Sequence, residues 1–354
     1  MDAAQTGATA PLPGPDALVI VGAGLAGWTV ARELRQRDRE RPVHLVCADR
    51  GDFYAKPMLS NALAQKKEAA QLIQKAAALQ AQALGVQVHG NTRVTAIDTA
   101  QKRLQTSAGP MSYGQLVLAL GADAVRLPTP GLEQALSVND IDDYSRFRSA
   151  LTAAGSGARV LIIGGGLIGS EFANDLALGG YRVSVVDPAP WLIGNLLPRE
   201  QGLALQDALA RLAVDCHLGD VALQIDGGGD APYRVQLRSG ALLEADVLLC
   251  AVGLRPRTAL AEQAGLATGR GILVDELGRT SDPNIYALGD CAAYASAARP
   301  DIAEGAARPL PYVLPIMTAA KAIAATLVGQ ATPIRFGPMS VRVKTPALPL
   351  SVNG

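Results

Sequence analysis

Hydrophobic and polar positions along this chain spell out one series of elements twice. Ala17-Leu-Val-Ile-Val21 is a short apolar run rich in β-branched residues, which predicts a buried strand. It runs directly into Gly22-Ala-Gly24-Leu-Ala-Gly27, a helical pattern from Trp28 to Arg37, and a second strand at Pro42–Cys47. Further on, Arg159-Val-Leu-Ile-Ile163 leads into Gly164-Gly-Gly166-Leu-Ile-Gly169, a helix from Ser170 to Leu178 and a strand at Tyr181–Val186. A matching stretch follows each copy at a constant offset of 128 residues: Leu84-Gly-Val-Gln-Val-His and Ile97-Asp98 in one, Leu212-Ala-Val-Asp-Cys-His and Ile225-Asp226 in the other. Each copy ends on a buried strand that meets glycine, at Gly121 and Gly253, lying 99 and 89 residues beyond its first glycine.

A lone Gly-x-Gly-x-x-Gly says little, but its place between a strand and a helix gives it a mechanism. The first glycine permits a tight turn, the second lets backbone approach a pyrophosphate, and the third lets the helix pack close to the strand. The helix N-terminus then offers amides and positive potential to phosphate. Two such units in matching modules predict an α/β chain with duplicated dinucleotide-binding domains.

Composition narrows the chemistry. At 354 residues the chain is long enough for two or three domains. It is 49% hydrophobic and 18% charged, so it is not disordered. The 32 Lys+Arg balance 32 Asp+Glu, which removes any long-range attraction to nucleic acid or anionic membrane. No apolar run reaches the ~20 residues of a membrane span, and residues 1–16 read as a frayed, low-complexity leader rather than a secretory signal. Cys47, Cys216, Cys250 and Cys291 are scattered, with no Cys-x-x-Cys, and read as small apolar residues of a reducing cytoplasm. No metal site is expected, so redox chemistry would need an organic cofactor. His44, His89 and His217 fall at strand positions, two of them equivalent between the copies, and are read as structural.

Beyond the second module, Thr280-Ser281 leads into Ile285-Tyr-Ala-Leu-Gly289-Asp290, a late strand ending in Gly-Asp. With Gly22/Gly24/Gly27, Tyr54-Ala-Lys56-Pro57-Met-Leu-Ser60, Gly164/Gly166/Gly169 with Glu171-Phe-Ala-Asn-Asp-Leu, and Gly253-Leu-Arg-Pro, it resembles FAD-dependent pyridine-nucleotide reductases of ferredoxins and rubredoxins. The segments Pro311–Met317 and Phe336–Ala347 are similar to the rubredoxin-reducing members, and the resemblance runs from about Leu18 to Val352. It implies two Rossmann-like domains of three β/β/α layers, with the NAD domain inserted into a discontinuous FAD domain. The expected bounds are 17–128 and 256–330 for FAD, 129–255 for NAD, and 331–354 for part of a small C-terminal α+β domain. Relatives continue beyond this point, so the chain reads as truncated, and Leu348 stands where the nearest relatives carry Cys.

The resemblance assigns Gly22, Ala23, Gly24, Leu25, Ala26, Gly27, Cys47, Ala48, Asp49, Lys56, Pro57, Val94, Gly121, Glu171, Gly289, Asp290, Val313 and Lys344 to FAD. It assigns Gly164, Gly166, Leu167, Ile168, Gly169, Asp187 and Gly253 to NADH, with Asp187 on the adenine ribose and no basic residue after it for a 2′-phosphate. The acid usual at the end of the FAD module's second strand is replaced by Cys47-Ala48, with Asp49 two positions on. Lys56 is expected beside flavin N5, with Glu171 opening the second helix as its partner, since a buried lysine needs a carboxylate. Reduced nicotinamide would pass a hydride to the flavin.

Where the electrons go next separates the possible functions. Residues 55–84 contain no Cys, so neither a disulfide pair nor a single redox Cys follows the first loop. That favours outward single-electron transfer to rubredoxin or, alternatively, to the ferredoxin of an oxygenase system, with alkane hydroxylation a downstream use. A slow NADH-sensing scaffold is the reading of another class. Basic segments are candidate docking surfaces for an acidic iron protein: Arg335, Arg342 and Lys344 in residues 331–354 without an acid, and Lys56, Lys66, Lys67 and Lys75 against Glu68. The chain is expected to be cytoplasmic, and monomeric or weakly dimeric.

Overall fold

The computed structural model describes residues 12–229, 231–295, 306–338 and 340–353, so most of the leader lies outside the described residues. The chain divides into two compact units, one made of Met1–Tyr54, Gln74–Ala122 and Pro256–Gly337, the other of Ala55–Ile73, Asp123–Arg255 and Pro338–Gly354.

The first unit is built on a five-stranded parallel sheet. Leu18–Val21 lies between Val43–Val46 and Gln115–Leu118; Gln87–His89 closes one edge and Ile285–Ala287 the other. Leu18–Val21 and Val43–Val46 are buried at every position, as strands covered on both faces must be. The helix Leu25–Arg35 follows the first strand and packs against the helix Val313–Leu327. A three-stranded antiparallel sheet, Val94–Asp98, Arg103–Thr106 and Met111–Ser112, forms the second β layer.

The second unit repeats this plan. Arg159–Ile163 lies between Arg182–Asp187 and Val247–Cys250, and Asp215–Leu218 closes the edge, all parallel. In order of appearance, the four module strands lie side by side as third, second, first and fourth in both units. Leu167–Leu178 is the fingerprint helix, and Ala222–Gly228, Ala231–Leu237 and Leu242–Ala245 form the antiparallel sheet. The duplicated α/β modules expected from the sequence are therefore present, including the stretches offset by 128 residues.

Three details differ from the sequence reading. Both fingerprint helices begin three residues earlier than their patterns suggested, at Leu25 and Leu167, inside the glycine motif itself. Residues 55–73, expected in the first FAD segment, belong to the second unit, where side chains of Leu167–Leu178 hold them. The last residues, expected as part of a small C-terminal domain, form a hairpin, Ser340–Val343 with Leu350–Asn353, that is grouped with the second unit. Val343 and Val352 enter the second unit's core beside Leu63, Phe172 and Leu176.

Candidate functional site

The two glycine fingerprints have nearly the same geometry. Gly22 has φ +109° and Gly164 φ +111°, a region open to glycine at little cost. A Cβ on Gly22 would lie 2.2 Å from Ala119 O, and one on Gly164 would lie 2.5 Å from Ala251 O. At Gly27 and Gly169 it would lie 1.9 and 1.8 Å from the first glycine's carbonyl oxygen, so close helix–strand packing requires glycine there too. The amides of Gly22 and Gly164 donate to Val46 O and Val186 O, each at 2.8 Å.

The middle glycines are different. At Gly24 and Gly166 a Cβ would meet nothing within 4 Å. Each is the N-cap of its helix and no side chain caps either end. Intrahelical bonding starts only at Trp28 N to Gly24 O and Ser170 N to Gly166 O, which leaves the amides of the first turn for an outside acceptor. A solvent-facing helix start with free amides and no side chain in front of it is a cradle for a diphosphate. Both modules fit a dinucleotide on this observation.

Around the first cradle the fold collects several of the expected FAD residues. A Cβ on Gly289, whose φ is +79°, would lie 3.1 Å from Ala26 Cβ and 4.0 Å from Ile316, so Gly289-Asp290 abuts both the fingerprint helix and the helix that Val313 opens. Cys47 follows directly on the second strand: its N–H donates to His89 O, and its carbonyl accepts from Thr92 N, two residues before Val94. Burial pushes the Cys47 thiol far up from its usual range, with Asp49 adding to the effect, so it is held protonated. Asp49 Oδ1 accepts from Gly51 N, which turns the chain sharply after Ala48. Gly121 has φ +71°, and its carbonyl accepts from Arg257 N.

Around the second cradle, Asp187 Oδ2 accepts from Gly165 N at 2.6 Å and Oδ1 from Ala189 N at 2.7 Å. The carboxylate thus faces the glycine turn that Leu167 and Ile168 continue, with Ile168 exposed. Ile193 N donates to Gly165 O at 2.8 Å while Ile193 holds φ +53°, an uncommon conformation for a buried β-branched residue. Gly253, with φ +107°, accepts from Val125 N.

The residues expected to act on the flavin side group differently from expectation. Lys56 opens the short helix Lys56–Asn61, ahead of Pro57, and its Nζ donates to Asn139 Oδ1 at 2.6 Å. Glu171 has a cation that the sequence reading did not assign to it, Lys344. Glu171, fully buried, takes Ser60 Oγ at 2.5 Å on Oε2, Lys344 N at 2.9 Å on Oε1 and Lys344 Nζ at 2.5 Å on Oε2. It stands in the second turn of Leu167–Leu178 rather than opening it, because the helix already starts at Leu167. One turn on, Asp175 accepts from Leu63 N at 2.8 Å and Ala64 N at 3.0 Å. Burial pushes the Asp175 carboxyl up to about 6, with the Glu171 charge adding, against the two amides and Arg148.

The basic segments are partly neutralised. Arg335 pairs with Glu276 at 2.9 Å and Lys344 with Glu171, so sequence windows overstated the local excess in 331–354. Lys66 remains exposed, with Lys67 half-buried beside it. His44 and His89 stack in neighbouring strands with Nδ1 to Nε2 at 3.0 Å, and burial together with His89 drives His44 down to about 4. Among the described residues no group of three or more His, Cys, Asp or Glu could hold a metal ion. All four cysteines are free, and no helix among the described residues is long and apolar enough to cross a membrane.

Sequence reasoning missed Ser60, Asn139, Asn174 and Asp175. The signal for two of them was present: Glu171, Asn174 and Asp175 are three and four residues apart, which puts them on one helical face.

The profile of the family described as pyridine nucleotide-disulphide oxidoreductase matches residues 16–323. A rubredoxin-NAD(+) reductase of Alcanivorax borkumensis is 43% identical over 337 residues, covering 95% of this chain and 85% of that protein. A nitric oxide reductase FlRd-NAD(+) reductase of Aeromonas hydrophila is 38% identical over 337 residues, with 95% and 83% covered. Among solved structures, the covalent putidaredoxin reductase–putidaredoxin complex aligns with a TM-score of 0.86 and 28% identity, over 97% of this chain and 82% of that one. A ferredoxin reductase for the CYP199A2 system of Rhodopseudomonas palustris aligns with a TM-score of 0.85 and 30% identity, over 93% and 80%.

Proposed function

Since this chain belongs to the pyridine nucleotide-disulphide oxidoreductase family, we propose that it is an NADH-dependent FAD reductase that hands electrons singly to a small iron protein, rubredoxin. The observation that carries this reading is the pair of matched cradles at Gly24 and Gly166, one in each unit, which suits one tightly held and one exchanging dinucleotide. FAD, when bound, takes a hydride from NADH and can release the two electrons one at a time.

The chain's own residues do the rest. Amides at the start of Leu25–Arg35 hold the FAD diphosphate, with Gly289-Asp290 and Val313 completing the site in the same unit. Amides at the start of Leu167–Leu178 hold the NADH diphosphate. Asp187 keeps lone pairs for ribose hydroxyls beyond those used by Gly165 and Ala189, and its charge repels a 2′-phosphate. Pro188-Ala-Pro190 supplies no cation to offset that repulsion, so NADH is preferred over NADPH. Lys56 and Lys344 supply positive charge that suits an electron-rich reduced cofactor, and Glu171 holds Lys344.

The disulphide chemistry in the family's name is not supported by this chain's cysteines, three of which are buried. The Alcanivorax borkumensis relative favours rubredoxin, whereas the putidaredoxin complex and the Rhodopseudomonas palustris structure favour putidaredoxin or a ferredoxin. Steady-state NADH oxidation with rubredoxin, a [2Fe–2S] ferredoxin and a dithiol-reactive dye in parallel tests the reading. Rubredoxin should give the highest kcat/KM. A higher value with ferredoxin moves the protein to an oxygenase-type reductase, and slow turnover with all three removes the reductase reading. The site of action is the cytoplasm, where NADH is available.

A further inference from the structure

One helix grips two separate stretches of chain with three adjacent side chains. Glu171, Asn174 and Asp175 share a face of Leu167–Leu178 and are at most 4% exposed. Glu171 takes Ser60 Oγ and both nitrogens of Lys344; Asn174 Oδ1 takes Ala347 N at 3.0 Å; Asp175 takes the successive amides of Leu63 and Ala64. At the end of the helix a Cβ on Gly179 would lie 2.1 Å from Leu63 Cδ2, so Leu63 is seated against the glycine. One gripped stretch begins with Lys56 and the other with Lys344.

Stability alone does not account for this face. Two buried carboxylates on one helix are costly, and apolar side chains of similar volume often hold a core as well or better. Asn174 Nδ2 is buried without a hydrogen-bond partner, which is unfavourable in itself. What these groups provide, and apolar contacts do not, is directional attachment of particular backbone amides.

Resting on the roles given above to Lys56 and Lys344, we propose that Asn174 and Asp175 are positioning residues. They fix residues 56–64 and 344–347 to the helix whose N-terminus receives the nicotinamide dinucleotide, and so set where the two ammonium groups stand relative to that dinucleotide. The same helix then indexes both the dinucleotide and the lysines.

Asn174→Leu is the informative substitution, because it removes the Ala347 attachment while relieving an unsatisfied buried amide. The FAD-loaded variant should keep its flavin absorbance and melt no lower than the wild type. Hydrogen–deuterium exchange should quicken in a peptide covering 340–350. Stopped-flow reduction by NADH should slow on the order of 10-fold at saturation, the scale of a sub-ångström to ångström misplacement, with the NADH concentration for half-maximal rate unchanged. Asp175→Ala should slow reduction likewise, with the exchange change at 56–66. Unchanged exchange in both variants, or loosened segments with hydride transfer within twofold of wild type, overturns the proposal. Lys56→Met separates the two levels: if it is slow while Asn174→Leu is normal, the positioning role alone fails. If Lys56→Met transfers hydride at the wild-type rate, the flavin-side reading falls and the positioning proposal with it.

Discussion

Replacing Gly166 with Ala separates the fold's need for glycine from the nucleotide's need. Gly166 has φ −70° and ψ −169°, a conformation alanine adopts freely, and its added Cβ would meet nothing within 4 Å. The cost to the protein is therefore that of a poorer N-cap, about 0.5–1 kcal/mol, or a few degrees in Tm at most. The nucleotide fares worse. The methyl group projects into the space over the helix amides that a diphosphate must approach, and overpacking by one carbon costs about 1–3 kcal/mol. KM for NADH should rise roughly 5- to 150-fold by that figure, while FAD content stays at wild type because the first cradle is untouched. Gly169→Ala is the contrast: its Cβ would lie 1.8 Å from Gly164 O, a backbone clash that cannot relax locally, so expression or Tm should collapse. The assay is NADH titration of ferricyanide reduction on FAD-saturated protein, with thermal melts alongside. A Gly166→Ala protein with normal Tm and normal KM would refute the assignment of this cradle to NADH.

Three further outcomes follow from the geometry. Lys344→Ala strips the fully buried Glu171 of its cation and should cost about 3–5 kcal/mol in chemical unfolding, far more than an exposed pair, whereas Arg335→Ala at the exposed Glu276 pair should cost under about 1 kcal/mol; equal losses would contradict the burial argument. Because the Asp175 carboxyl is raised from 3.8 to about 6, the folded state holds its proton more tightly than the unfolded chain, so its contribution to stability is complete below about pH 4 and is lost as pH rises through 6. Unfolding at fixed excess FAD should therefore show Asp175→Asn gaining on wild type by about 2–3 kcal/mol between pH 4 and 7; a difference that is flat with pH would show that Asp175 does not titrate there. Reversing charge at both Lys66 and Lys67 should lower the rate with an acidic rubredoxin, increasingly so at low salt, and leave ferricyanide reduction unchanged, while equal losses with both acceptors would remove that segment as a docking surface.

The parts of this molecule that were legible in its sequence are those where one residue type is dictated by backbone. Gly22, Gly27, Gly164 and Gly169 each sit where a Cβ would strike a carbonyl oxygen, so their spacing survives as a readable signature, and the buried strands beside them carry the matching apolar runs. The partner of Glu171 was not legible. That Glu171 meets Lys344 depends on how residues 55–73 and the final hairpin are brought to one helix, through contacts separated by 111 and 173 positions in the chain. Charge windows failed for the same reason. Arg335 is cancelled by Glu276, 59 residues away, which no local count includes.

The two copies share a backbone and differ in what their fingerprint helices bury, and this difference bears on their tasks. In Leu25–Arg35 the buried positions are Gly27, Trp28, Thr29, Val30, Ala31 and Leu34, and the helix packs on another helix, while Trp28 and Arg35 donate to the carbonyls of Gly51, Leu84 and Gly85. In Leu167–Leu178 the positions matching Thr29, Arg32 and Glu33 are Glu171, Asn174 and Asp175, all turned inward and used to hold neighbouring chain. An apolar interface tolerates sliding, because its energy depends on area rather than direction. A hydrogen-bonded carboxylate does not, since its bonds weaken steeply as the angle opens. A module that keeps its cofactor gains nothing from such exact attachment beyond the cofactor itself. A module whose dinucleotide comes and goes must present the same arrangement of lysines to each new arrival. On the proposed assignment of NADH to the second module, the polar face lies on the helix whose dinucleotide exchanges, and it is there that substitution should alter rate before it alters fold.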